Sequence, residues 1–288
     1  MRASDPPEPQ AGPAHSTIRR RVLPNILAQP RGRAGVLLCV LVSLIAVAGP
    51  VMTSVDPFAL TGAALSAPSR AHLMGTDALG RDVLSGVLWG ARASMAVALS
   101  VCLLTFACGM FVGLLGGYSG GMIDAMLTWI TETLQVIPRF FLLIIAFAAF
   151  GTGLDRLVLT LGMTSWPTLA RVVRGEVLRL RHADFVTAAI VGGATPRRVF
   201  YRTLMPNVLP AALAVVGLLF GQALLIEASL GFLGLGDPGT MSWGLQAAQA
   251  HAYLRQAWWL AFFPGFAISV AVLGVNLLAD AAVRPSSA

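Results

Sequence analysis

The sequence predicts an all-α polytopic membrane protein with six membrane-crossing helices, and three observations carry that expectation. Hydrophobic residues make up 56% of the 288 residues and charged ones only 11%, with a mean hydropathy of +0.76. That balance is foreign to soluble domains. Six stretches, 34–55, 93–123, 140–154, 157–170, 203–226 and 256–279, contain no Asp, Glu, Lys or Arg, and a bilayer core takes about 20 apolar residues per helix. The basic residues, all arginine, gather in 2–33 and 171–202, an asymmetry of the kind that sets orientation.

The elements follow in order. Residues 1–33, rich in Pro, Ala and Arg and without apolar periodicity, form a disordered basic tail. The first helix covers 34–55; Ala46-Val47-Ala48 imitates a signal-peptidase site, but the polar tail is long and the apolar run exceeds a usual signal core. An outer loop spans 56–86, and the second helix runs from Val87 to Leu115. Gly116–Gly121 reverses the chain, glycine permitting positive φ. The third helix returns to Phe150 with a kink at Pro138. The fourth requires Leu154–Val173 and is the least apolar; a re-entrant segment there leaves five spans. A polar segment, 176–206, precedes the fifth helix at Asn207–Glu227. A second outer loop, Leu230–Ala257, leads to the sixth helix at Trp258–Ala279, whose paired tryptophans suit the membrane interface. Residues 87–280 thus hold five helices, and 281–288 form a short tail. An even number of spans places both termini and 171–202 on one side, which the arginines identify as the cytoplasm.

Several functions are excluded by residue type. Without lysine there is no Walker A phosphate cradle and no Schiff base. Cys39, Cys102 and Cys108 lie in apolar runs without CxxC spacing. His15, His72, His182 and His251 are scattered over tail and loops, so no metal site is expected. The formal net charge of +7 reads as a topology signal, not as nucleic-acid binding.

The most informative stretch is Asp184–Pro210, DFVTAAIVGGATPRRVFYRTLMPNVLP. Asp184 is placed as N-cap of a helix over Phe185–Val191, with Ala188 and Ala189 giving it a low profile. Gly192 and Gly193 end that helix. Thr195 caps the next, Pro196 takes its first position, and Arg197, Arg198 and Arg202 face solvent or lipid phosphate. Pro206 and Pro210 bracket entry into the fifth span. The product is a compact elbow able to pass rigid-body motion from a soluble partner.

Thr187-Ala188-Ala189, Gly193, Thr203 and Met205-Pro206 fall at the spacings of the "EAA" loop of ABC importer permeases. Ala188, Ala189, Gly193 and Pro206 match, while Thr187 replaces the Glu, Thr203 an aliphatic residue and Met205 a Leu. His72–Ser85 (HLMGTDALGRDVLS), Trp89–Ser94 (WGARAS), Glu227–Gly236 (EASLGFLGLG) and Ser242-Trp243-Gly244 resemble the dipeptide/oligopeptide/nickel branch, in particular its C-type subunit. The last residues, ADAAVRPSSA, depart from that branch's Arg-Asp-rich finish. The resemblance implies a type I ABC importer permease with a cytoplasmic coupling helix, in a bacterial inner membrane, importing di- or oligopeptides. Nickel chelates, haem or another small solute are the alternative cargo. It implies a homologous B-type permease as partner, two cytoplasmic ABC ATPases and an external solute-binding protein. ATP and Mg2+ would be used by the ATPases, with no cofactor on this chain and no catalysis by it. Asp184, Thr187, Ala188, Ala189, Gly193, Arg197, Arg198 and Pro206 would then couple to the ATPases.

Charges inside spans usually face a partner or a water path. Glu132, Arg139, Gln222 and Glu227 are candidates for the translocation path; Glu132 and Arg139, seven apart, would share a helix face. Arg92 and Asp280 read as helix-end residues. Asp77, Arg81, Asp82, Asp237 and Trp243 are candidates for binding-protein docking. Two readings from other classes remain: a rhomboid-like protease built on Gly117-Tyr118-Ser119-Gly120, and a proton-coupled carrier using Glu132 and Glu227. The first needs a base within reach of Ser119, and His251 is expected across the bilayer.

Overall fold

The structure, a computed structural model, describes residues 26–53 and 55–283. Most of the basic tail and of the 281–288 tail lies outside these. Helix α1 is Pro30–Met52, so the last tail residues, Arg31 and Arg33 included, are already helical. Proline fits this first helical position, where its absent N–H is no loss. Then come α2 (Val83–Ser119), α3 (Gly121–Val136), α4 (Arg139–Phe150) and α5 (Leu154–Leu180). The elbow contains α6 (Asp184–Val191) and α7 (Pro196–Arg198). A π-helical turn, Val199–Leu204, feeds α8 (Met205–Phe232). Helix α9 (Trp243–Ala250) lies within the second loop, and α10 (Trp259–Val283) closes the fold.

Among the described residues, four helices are long and apolar enough to cross a membrane: α1, α2, the continuous helix Pro196–Phe232, and α10. The pair α3 and α4 passes the same test only when taken together and is bent by 79°, which is the shape of a broken span or a re-entrant loop. The expected kink at Pro138 is therefore a break, since Ile137 and Pro138 are both extended. Helix α5 is unbroken over 27 residues, but its arginine-bearing half keeps it from matching the other spans in apolarity. The expected reversal over Gly116–Gly121 is tighter than the sequence suggested. Residues 116–119 stay helical, and only Gly120 and Gly121, with φ of 65° and 56°, turn the chain.

Helix α2 packs most extensively against α5, and glycine makes the approach possible. Gly109, Gly113 and Gly117 repeat every fourth residue along α2. A Cβ on Gly113 would sit 2.6 Å from the Ala170 carbonyl oxygen, and one on Gly109 2.7 Å from the Leu169 side chain. This is the small-xxx-small solution to helix packing where lipid removes the hydrophobic drive between helices. Helices α1 and α10 meet similarly, through Gly35 and Gly274.

One end of the bundle carries the elbow; the other carries the loops. The first loop is ordered around Thr76, which is fully buried. Its hydroxyl donates to Ala63 O (2.6 Å) and accepts from Ser66 N (2.9 Å), while Trp259 Nε1 donates to Thr76 O at 3.2 Å. The second loop is not plain coil: Ser242 caps α9 by accepting from Leu245 N at 3.1 Å.

Candidate functional site

The elbow grows from the end of α5. Its N-cap is Ala183, with extended φ/ψ of −76° and 146°, not Asp184. An N-cap must leave the helical region, and Ala183 makes that turn. Asp184 instead occupies the first helical position, where its charge still complements the N-terminal dipole. Val186, 2% exposed, pins α6 into a cluster with Leu180, Val199 and Leu204. The opposite face presents Asp184, Thr187, Ala188 and Val191 to the outside, at the i, i+3, i+4, i+7 spacing of one helix side.

The end of α6 follows from its glycines. Gly193 has φ of 80°. Its N–H donates to Ile190 O and that of Ala194 to Ala189 O, both at 3.0 Å. This pair of bonds is the Schellman arrangement, which satisfies the last helical carbonyls and needs a left-handed residue that glycine tolerates. Thr195 then caps α7 by accepting from Arg198 N at 3.4 Å. Arg197 and Arg198 are exposed. Pro206 does not interrupt the chain: Met205 N bonds Phe200 O in a π turn, and one 37-residue helix runs from Pro196 to Phe232. That rod is about 55 Å long at 1.5 Å per residue. Tyr118 meets Phe200 edge-on at 5.6 Å, and Arg181 Nη1 donates to Gly117 O, so the elbow also rests on the end of α2.

Two apolar residues on the elbow have little cover among the described residues. Ile190 is 57% exposed and Val191 82%. Beside glycines and arginines, at the end of the bundle, they form the surface expected of a contact site.

The candidate path residues do not form one cluster. Glu132 and Gln222 are exposed on α3 and α8. Glu132 and Arg139 do not share a helix face, because the break at Pro138 reorients the chain between them. Arg139 donates to Thr168 on α5. Arg174 holds Asp124 through two hydrogen bonds, 2.5 and 2.7 Å, and Arg171 donates to Gln135. The bent span is thus strapped to α5 at successive levels, which the sequence did not disclose.

Glu227 is 5% exposed and enclosed, not facing an open path. Ser94 Oγ donates to Glu227 Oε2 at 3.0 Å and accepts from Trp243 N at 3.1 Å. The node joins α2, α8 and α9. It relies on glycine, since a Cβ on Gly244 would lie 2.8 Å from Glu227 Oε1.

The docking candidates separate. Trp243 is 2% exposed and its Nε1 donates to Val87 O at 2.9 Å, so it is an interior anchor and not a docking residue. Asp77 Oδ1 accepts from Leu79 N and Arg81 N, both at 2.8 Å, which shapes the turn. Asp82 caps α2 through Ser85 N at 2.8 Å and meets His72 Nδ1 at 3.1 Å. Arg81 lies over the Phe58 ring at 5.2 Å. Asp237 accepts from Gly239 N and Thr240 Oγ1. Ser119 ends α2 beside the elbow while His251 follows α9 at the loop end, so that pair makes no hydrolytic dyad.

Residues 109–285 match the family described as "Binding-protein-dependent transport system inner membrane component". Among curated relatives, a putative peptide transport system permease protein of Brucella suis is 36% identical over 250 residues, covering 86% of this chain and 84% of that protein. The dipeptide transport system permease protein DppC of Bacillus subtilis is 36% identical over 265 residues, covering 91% and 81%. The di/tripeptide transport system permease protein DppC of Pseudomonas aeruginosa is 33% identical, covering 85% and 84%. Among solved structures, a chain of the inward-facing MetNI methionine ABC transporter superposes with a TM-score of 0.55 at 19% identity, covering 69% of this chain and 97% of that one. That last likeness concerns the fold alone.

Proposed function

This chain belongs to the binding-protein-dependent transport system inner membrane components, and from that premise we propose that it imports short peptides as one half of an ATP-driven permease. The reading assigns the elbow end to the cytoplasm. Two ATPase subunits bind ATP and Mg2+ there, and one of them receives α6. A homologous permease completes the pathway, and an external binding protein delivers cargo at the loop end.

The observation that carries the reading is the elbow. A short helix with exposed Ile190 and Val191, closed by a left-handed glycine and continuous with a membrane rod, suits force transmission. A partner that moves α6 moves one end of Pro196–Phe232, and the other end carries Glu227 and, through it, α9. Motion at the ATPases and at the outer loops would share one lever. Peptide as the cargo rests on the relatives' names.

Proteoliposomes holding this chain with its companion subunits provide the test. Uptake of a labelled dipeptide should require ATP on the elbow side and the binding protein on the other, and vanadate should stop it. Uptake driven by a proton gradient without ATP would contradict the reading.

A further inference from the structure

A cavity of about 980 Å3 lies at the loop end, over the outer face of α2 between the end of α1 and the first turn of α5. Its size suits a small-molecule site. Most of its wall is apolar, with Phe58, Val97 and Val158 among the lining residues. Thr53, Asp56, Ser100 and Thr240 contribute polar atoms to that wall, Asp56 accepting from Phe58 N at 2.8 Å, and three further groups stand out. The Trp89 indole N–H is shielded from solvent and has no acceptor. Arg92 and Asp155 line the same space, and neither has an ion pair among the described residues. Buried polar groups normally find partners, so an orphan donor lining a cavity together with a cation and a carboxylate suits a polar occupant.

We propose that this cavity holds the headgroup of a zwitterionic aminophospholipid. Its phosphate lies between Arg92 and the Trp89 N–H, and its ammonium meets Asp155. The exposed residues beyond the cavity favour a lipid over a free zwitterion. Arg92, Ala96, Leu99 and Leu103 follow one another along a single side of α2, and Leu99 and Leu103 are 65% and 69% exposed. An acyl chain lying on that stripe would continue from a headgroup in the cavity; a short peptide has nothing to place there. The indole also suits the headgroup level of a bilayer. An anionic lipid would satisfy Arg92 but leave Asp155 facing a like charge. The inference needs a bilayer against this side of α2, with the companion permease on another side, and is independent of cargo and ATPases.

Native mass spectrometry tests it, using the full-length chain in mild detergent with whichever subunits remain attached. Phosphatidylethanolamine, phosphatidylcholine and phosphatidylglycerol with identical acyl chains are titrated onto the delipidated protein. One phosphatidylethanolamine should be retained about tenfold more tightly than either other lipid, the scale of one charge-assisted hydrogen bond. Arg92→Gln should weaken retention about tenfold. Asp155→Asn should erase the preference for ethanolamine over choline. Ala96→Trp, which fills the groove without touching a charge, should evict the lipid while the unfolding midpoint of the protein stays put. Equal retention of all three lipids, indifference to all three substitutions, or displacement of the lipid by a dipeptide would each overturn the assignment.

Discussion

At the scale of single residues, the polar groups inside the bundle bind helices to one another. Arg174 and Asp124 have side chains 33% and 16% exposed, so their pair is worth less than a buried one. Arg174→Ala should lower stability by about 1–3 kcal/mol, the cost of a lost charge-assisted hydrogen bond. The thermal midpoint of the detergent-purified chain reads this out, and exchanging the two residues should restore part of it. Glu227→Ala should cost about 1–3 kcal/mol, because Ser94 loses a buried acceptor. Glu227→Gln should cost less, since an amide oxygen still accepts from Ser94. The sequence displayed these charges but not their partners. Glu132 and Arg139 share a face under unbroken helical spacing, and the break at Pro138 removes that register. Trp243 looked available because it stands in a loop, yet α9 folds it into the interior against Val87.

At the scale of elements, glycine decides both the tightest crossing and the shape of the elbow. Gly113→Leu should drive α2 and α5 apart and cost about 1–3 kcal/mol or more as overpacking, again visible in the unfolding midpoint. Gly193→Ala acts differently. Its φ of 80° places an alanine in the left-handed region, at a local cost of about 1–2 kcal/mol. The elbow is peripheral and pinned mainly by Val186, so the global midpoint should change little. Proteolysis near Gly193 should quicken and ATP-driven uptake should fall. Much of this element was legible beforehand. The double glycine, Thr195 and Pro196 each report a backbone requirement that sequence displays directly. The N-cap was misplaced by one residue, because Asp184 and Ala183 differ in cap preference and tertiary placement favoured the weaker capper. The π turn before Pro206 left no comparable trace, being set by how α8 joins the rod.

At the scale of the molecule, the chain is a bundle with one ordered loop face and one face bearing an uncovered elbow. Apolar composition and run length made that architecture readable. The extent of the spans was harder to read, since α5 combines helical continuity with arginines that lie against the bent span. If the elbow seats in a separate ATPase, site-directed crosslinking will capture the two together. Ala188→Cys, in a chain otherwise freed of cysteine and assembled with its companions in membranes, should crosslink to a nucleotide-binding subunit, and ATP should alter the yield. A cysteine at Arg70, on the loop face, should not. Capture of the ATPase from position 70, or labelling of position 188 by an impermeant reagent from the binding-protein side, would contradict the account.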